Sequence, residues 1–181
     1  MRVIAGSAGS VPLIAPKGVK VRPTADRLKE NLFNLLGPRI PGARFLDLYS
    51  GSGAIGIEAL SRGAREAVFV ENSRAALEAI RVNLRKCGLD TKARVLGMDI
   101  GKAIRRLTEE AGPFDIIFLD PPYGMGLTRQ TLTWLEESSL LAAEGMIVAE
   151  VPAEEAPLVS VLTPYDERVY GGSKFVFWRL T

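Results

Sequence analysis

From Arg44 to Val151 short apolar runs of strand length alternate with stretches of helical period, and this alternation constrains the fold more than any other feature. The strand-like runs cover residues 44–49, 67–71, 93–97, 115–120 and 146–151, and the helical stretches lie near 54–62, 73–87, 100–111 and 127–139. Strands that are apolar on both faces and separated by helices build a mainly parallel sheet covered on both sides. The tail departs from this rhythm. Residues 167–170, a Gly171-Gly172 turn and residues 174–180 read as an antiparallel hairpin. The expected architecture is α/β, a mainly parallel sheet of seven strands closed by an antiparallel C-terminal hairpin.

Ahead of this region, residues 1–22 read as short strands with turns at Ala8-Gly9-Ser10 and Pro16-Lys17-Gly18. They predict a small β-hairpin extension on a domain over 23–181. Thr24 reads as an N-cap with Asp26 in the first turn, and Leu28, Leu32, Phe33, Leu35 and Leu36 form the apolar stripe of a helix that Gly37-Pro38 ends. Asn72 or Ser73 can cap the helix that Gly88 closes.

The chain has 181 residues, one cysteine (Cys87) and no histidine. An intramolecular disulfide, a His- or Cys-based zinc site and a His-based triad are all excluded, and no metal is expected. Chemistry at neutral pH must therefore use carboxylates, hydroxyls, backbone or a cofactor. No apolar run approaches the roughly 20 residues of a membrane span. Met1-Arg2-Val3-Ile4-Ala5-Gly6 has no h-region, so cytoplasmic residence is the expectation. Net charge is +2, but residues 1–44 carry eight basic and two acidic side chains, leaving the remainder at −4. A basic segment on a mildly acidic body suggests contact with a polyanion.

The first α/β strand runs into Asp47-Leu48-Tyr49-Ser50-Gly51-Ser52-Gly53-Ala54-Ile55-Gly56, a G-x-G-x-x-G loop at a strand-to-helix junction. Glycines there allow a tight turn and close approach of backbone to a ligand. Glu71, at the end of the next strand, can accept from the two hydroxyls of an adenosine ribose. A dinucleotide would lay a pyrophosphate over this loop, and Asp47 would repel it. S-adenosylmethionine has no phosphate and carries an ammonium and a sulfonium, which nearby acids attract. Asp99, after the third strand, can meet the adenine amine. The expected cofactor contacts are Asp47, Tyr49, Ser50, Gly51, Ser52, Gly53, Glu71, Asn72, Asp99, Ile100 and Asp120.

The apolar run from Phe114 ends in Asp120-Pro121-Pro122-Tyr123. An exocyclic base amine is a poor nucleophile, because its lone pair is delocalised into the ring. The Asp120 carboxylate and the Pro121 carbonyl can hold its two hydrogens and aim the lone pair at a methyl donor, and such positioning removes up to roughly 7–11 kcal/mol of barrier. Tyr123 can stack on the base for roughly 1–3 kcal/mol, once the base is flipped out of its stack. Asp120, Pro121, Pro122 and Tyr123 are thus the candidate catalytic residues. Methylation of cytosine C5 would need a cysteine nucleophile, and Cys87, at a helix end, reads as a structural thiol.

The order of these motifs resembles the bacterial 16S rRNA guanine-N2 methyltransferases, the small subunit methyltransferase D family. The likeness covers nearly the whole chain. It is carried by Arg22-Pro23-Thr24-Ala25-Asp26-Arg27 with Glu30-Asn31-Leu32-Phe33-Asn34, by Leu46 to Gly53, by Glu58-Ala59-Leu60-Ser61-Arg62-Gly63-Ala64, by Asp120 to Tyr123 and by Tyr170-Gly171-Gly172. Arg2-Val3-Ile4-Ala5-Gly6 resembles the family's opening strand. The resemblance implies a Rossmann-like class I methyltransferase fold and transfer of one methyl to the exocyclic N2 of a guanine in small-subunit rRNA, in assembled or assembling particles; a monomer is expected. Arg2, Arg22, Thr24, Arg27 and Lys29 become the expected RNA contacts. The chain departs from the family at Gly6-Ser7-Ala8-Gly9-Ser10-Val11, which lacks the usual basic residues. The catalytic motif alone leaves N6 of adenine in DNA or RNA open as the acceptor. A nicotinamide-dependent oxidoreductase is opposed by Asp47 and the prolines, and a non-catalytic RNA-binding module by the intact Asp120.

Overall fold

The computed structural model describes residues 1–16, 24–155 and 159–181, with the backbone alone at Thr24 and Ala25. The expected turn at Pro16-Lys17-Gly18, the Arg22 side chain and the Thr24 cap lie outside the described residues.

The chain runs α1 (Thr24–Leu36), β1 (Arg44–Leu48), α2 (Ala54–Ser61), β2 (Glu66–Glu71), α3 (Arg74–Cys87), β3 (Ala93–Gly97), α4 (Ile100–Glu110), β4 (Phe114–Leu119), α5 (Leu127–Glu136), β5 (Leu141–Pro152), β6 (Leu162–Tyr170) and β7 (Ser173–Leu180). The seven strands form one sheet in the order β3-β2-β1-β4-β5-β7-β6. The first five are parallel, and β7 is antiparallel to both β5 and β6. Strand order reverses direction at β1 and β4, the place where open α/β sheets bind ligands beyond the strand ends.

Alternation along the strands divides the core in two. Phe45, Phe69, Phe118, Val148 and Phe175 pack on one face under α1, α2 and α3. Leu46, Leu48, Val70, Ile117, Leu119 and Ile147 pack on the other against α4 and α5. Full burial of each such side chain contributes about 1.5–3 kcal/mol. Ser73 caps α3, its Oγ accepting from Ala76 N at 3.4 Å, and Gly88 ends that helix at φ 65°.

Two strands extend beyond their expected limits. β5 begins at Leu141, because Leu141 pairs with Phe114 across a register shift before the main ladder starts at Met146. β6 begins at Leu162, with an irregularity between Pro164 and Asp166. Exposed Ala143 and Glu144 interrupt the apolar pattern at the start of β5, and Pro164 with its exposed neighbours does so on the edge strand β6, which hides both extensions from a periodicity reading. The first residues form less strand than expected: one bridge joins Arg2 and Pro12, with Val3 N donating to Val11 O at 3.0 Å. This segment packs tightly on α2. Gly6, at φ +85°, lies so close to the end of α2 that a Cβ there would come within 1.9 Å of Ser61 O. Among the described residues no helix is long and apolar enough to cross a membrane.

Candidate active site

The loop after β1 is held from several directions. Glycine-type backbone occurs at Gly51 (φ 55°) and Gly53 (φ 77°), and Tyr49 adopts it too at φ 62°, an uncommon conformation for a bulky side chain. Gly53 N donates to Ser50 O at 2.7 Å. The Ser50 hydroxyl turns inward and donates to the Asp47 carbonyl at 2.6 Å, with the Val70 carbonyl also within reach at 3.2 Å, so this side chain fixes the loop from within. The Tyr49 phenol meets Thr131 Oγ1 on α5 at 2.7 Å, and burial raises its pKa.

Asp47 occupies a core register position between Phe69 and Phe118. Its Oδ2 accepts from Gly56 N at 2.9 Å. A Cβ on Gly56 would fall 2.4 Å from the Phe69 ring, so only glycine lets α2 sit this low over the acid. Burial, and then the charge of Glu71, push the Asp47 pKa from 3.8 to about 7. Glu71 takes Gly51 N at 3.0 Å on Oε2, and Asn72 N and Ser73 N at 2.8 Å on Oε1, so it aligns the loop as well as facing it. Asp99 caps α4, its Oδ1 accepting from Gly101 N at 2.9 Å and Lys102 N at 3.4 Å. The Ile100 side chain is buried in the core below, and Asn72 is exposed beside the loop.

Leu119 pairs with Leu48 in parallel register, so Asp120-Pro121-Pro122-Tyr123 leaves the sheet next to this loop. Pro121 is buried, whereas Asp120, Pro122 and Tyr123 are exposed. Protein packed around the inner side of the Asp120 carboxyl raises its pKa, and the charges of Glu150 and Asp47 add to the rise. The Tyr123 phenol donates to Glu150 Oε1 at 3.2 Å. Glu71, Asp99 and Asp120 thus lie at one end of the sheet, with Asp47 buried just beneath the loop. Among the described residues they are not grouped closely enough to share a metal ion.

The expected basic face divides. Arg2 and Arg27 are exposed. Lys29 corrects the expectation: it is 4% exposed, its ammonium lies 3.1 Å from Glu58 Oε2, and it also donates to Arg2 O. An α1–α2 contact neutralises its charge and withdraws it from any phosphate. Glu58, fully buried, also accepts from Ile4 N at 2.8 Å and Ala5 N at 3.0 Å and pairs with Arg62 at 2.7 Å.

Glu150, Thr131 and Asn83 escaped the sequence reading. Glu150 had a signal, an acid near the end of a strand, as at Asp47 and Glu71. Thr131 and Asn83 lie inside helices, where nothing in the local pattern separates them from ordinary polar positions.

The sequence matches the family described as Conserved hypothetical protein 95 over residues 1–179. It is 39% identical over 156 residues to ribosomal RNA small subunit methyltransferase D of Escherichia coli (strain K12), covering 85% of this chain and 76% of that protein. It is 34% identical over 164 residues to the protein of that name from Haemophilus influenzae, covering 88% and 82%. A solved hypothetical protein from Thermus thermophilus superposes at TM-score 0.86 with 32% identity over 99% of both chains.

Proposed function

The chain belongs to the ribosomal RNA small subunit methyltransferase D family, and on that premise we propose that it transfers a methyl group from S-adenosylmethionine to the exocyclic N2 amine of a guanine in 16S rRNA. The observation that carries this reading is the Leu48–Leu119 register: it sets an amine-holding motif beside a loop whose charges suit a cationic donor. Asp47, Glu71, Asp99 and Asp120 supply negative charge where a pyrophosphate would be repelled. The backbone from Tyr49 to Gly53, with Asn72 and Ile100, completes the cofactor contacts. When bound, S-adenosylmethionine supplies an electrophilic methyl on a positively charged sulfur.

The chain's own residues then position the acceptor. Tyr123, 48% exposed, offers a ring face to a flipped base. Asp120 and the carbonyl of Pro121 accept the two amine hydrogens, which turns the nitrogen lone pair out of conjugation. No strong base is required, since the nitrogen becomes acidic only after attack. Asp120, with its raised pKa, is suited to receive that proton.

Arg2, Arg22, Thr24 and Arg27 are the proposed RNA contacts, with the segment over 1–22 as the docking arm. The substrate is rRNA in small-subunit particles, and the protein acts in the cytoplasm as a monomer. Mass spectrometry of nucleosides, from particles treated with wild type or Asp120→Ala, tests the reading. Wild type should add N2-methylguanosine, and Asp120→Ala should lose transfer by at least about a thousandfold, or about 4 kcal/mol, while binding S-adenosylhomocysteine normally. New N6-methyladenosine, or normal turnover by Asp120→Ala, would sink it.

A further inference from the structure

We infer that Glu150 is the specificity-determining residue of this site, its carboxylate accepting the N1–H of the flipped guanine while Asp120 and Pro121 hold the N2 amine. The inference rests on the guanine-N2 reading and deepens it. β4 and β5 run parallel with Leu119 paired to Ala149, so Asp120 and Glu150 follow side by side from adjacent strands. The Tyr123 phenol donates to Glu150 Oε1 at 3.2 Å, which ties the proposed stacking ring and this carboxylate into one unit. Glu150 itself is partly buried, and its backbone is held in the ladder opposite Phe175. Asp120 feels its charge, as the shared geometry requires.

The chemistry of the base edge distinguishes the purines. Guanine presents N1–H next to its N2 amine, a continuous row of donors. Adenine presents a bare N1 lone pair next to its N6 amine. An ionised carboxylate only accepts, and its two oxygens offer about four lone-pair sites, so it can take more than one donor at a time. Two neighbouring carboxylates therefore match the guanine edge and face the adenine N1 with lone pair against lone pair. Sites built around such a hydrogen bond reject analogues lacking the donor strongly, because the buried partner is left unpaired.

The test uses small-subunit particles reconstituted with 2-aminopurine at the nucleotide that mass spectrometry maps as methylated. This base keeps the 2-amine and replaces N1–H by a lone pair. Wild type should prefer guanine by at least about a hundredfold in kcat/KM. Glu150→Gln, whose amide can donate to that lone pair, should narrow the preference to within about tenfold or reverse it. A folding defect lowers both rates together and leaves their ratio alone, so the ratio separates recognition from structure. Wild type accepting both bases equally, or Glu150→Gln keeping the wild-type ratio, overturns the inference. Wild type making no N2-methylguanosine on unsubstituted particles is a different result, and it removes the substrate reading on which the inference stands.

Discussion

The Asn83 side chain donates to the carbonyl of Ser52 at 3.0 Å, so a buried residue of α3 holds the loop between β1 and α2. The same amide nitrogen donates to Ile14 O at 2.9 Å, and its oxygen accepts from Ile14 N at 2.8 Å. One side chain therefore fastens both the N-terminal segment and the loop between β1 and α2.

Asn83→Ala strips partners from groups in both elements, and each buried group left unsatisfied costs about 1–3 kcal/mol. Thermal unfolding should fall accordingly. Affinity for S-adenosylhomocysteine, read by calorimetry, should drop about tenfold, or about 1.4 kcal/mol. Asn83→Asp should be worse, because a carboxylate would face two carbonyl oxygens. An Ala variant with wild-type melting and affinity would show that the amide holds neither element.

Asp47 makes stability and donor binding respond to pH in opposite directions. Its carboxyl titrates near 3.8 unperturbed and at about 7 in the fold, raised by burial and then by Glu71. Between those values the folded state keeps a proton that the unfolded state has lost, so stability falls as pH rises from about 4 to about 7 and then levels. Asp47→Asn can still accept from Gly56 N and should be the more urea-resistant protein at about pH 8. Cationic donor binding favours the ionised acid, so wild-type affinity should rise with pH up to about 7 and proton release should appear in calorimetry below it. Affinity independent of pH in both proteins would mean that Asp47 does not meet the donor's charge.

The basic residues of the N-terminal region should separate into two classes. Lys29→Gln breaks a buried pair and should cost about 3 kcal/mol, the low end for such a loss because Arg62 still pairs with Glu58. It should leave the salt dependence of RNA binding unchanged. Arg2→Gln and Arg27→Gln should keep stability within about 0.5 kcal/mol, while each lowers the slope of log affinity against log salt by about one. Denaturant titration and fluorescence anisotropy at several salt concentrations measure both. A slope that moves with Lys29 and not with the arginines would invert the assignment.

What was legible in the sequence is local. The glycines of the loop, the acid four residues ahead of it, Glu71 and Asp120-Pro121-Pro122-Tyr123 all lie at strand ends, and covalent spacing alone delivers them to one edge of a parallel sheet. From Arg44 onward apolar runs set the strands to within a few residues, except at the start of β5 and β6, where pairing partners rather than local pattern set the limits.

What lay beyond the sequence depends on which surfaces meet. Lys29 and Arg27 read alike as basic residues two apart, yet the packing of α1 on α2 brings Lys29 to Glu58 and leaves Arg27 in solvent. Asn83 is one polar residue of an amphipathic helix until Ile14 and Ser52 close on it. Tyr123 and Glu150 are 27 positions apart and meet only because β5 lies beside β4. The sequence by itself determined which acids, glycines and prolines reach the strand ends, since that depends on backbone period and local turns. Tertiary structure alone decided which charges are buried, which are bonded and which carboxylate stands next to Asp120, because those depend on desolvation and on contacts between segments remote in the chain.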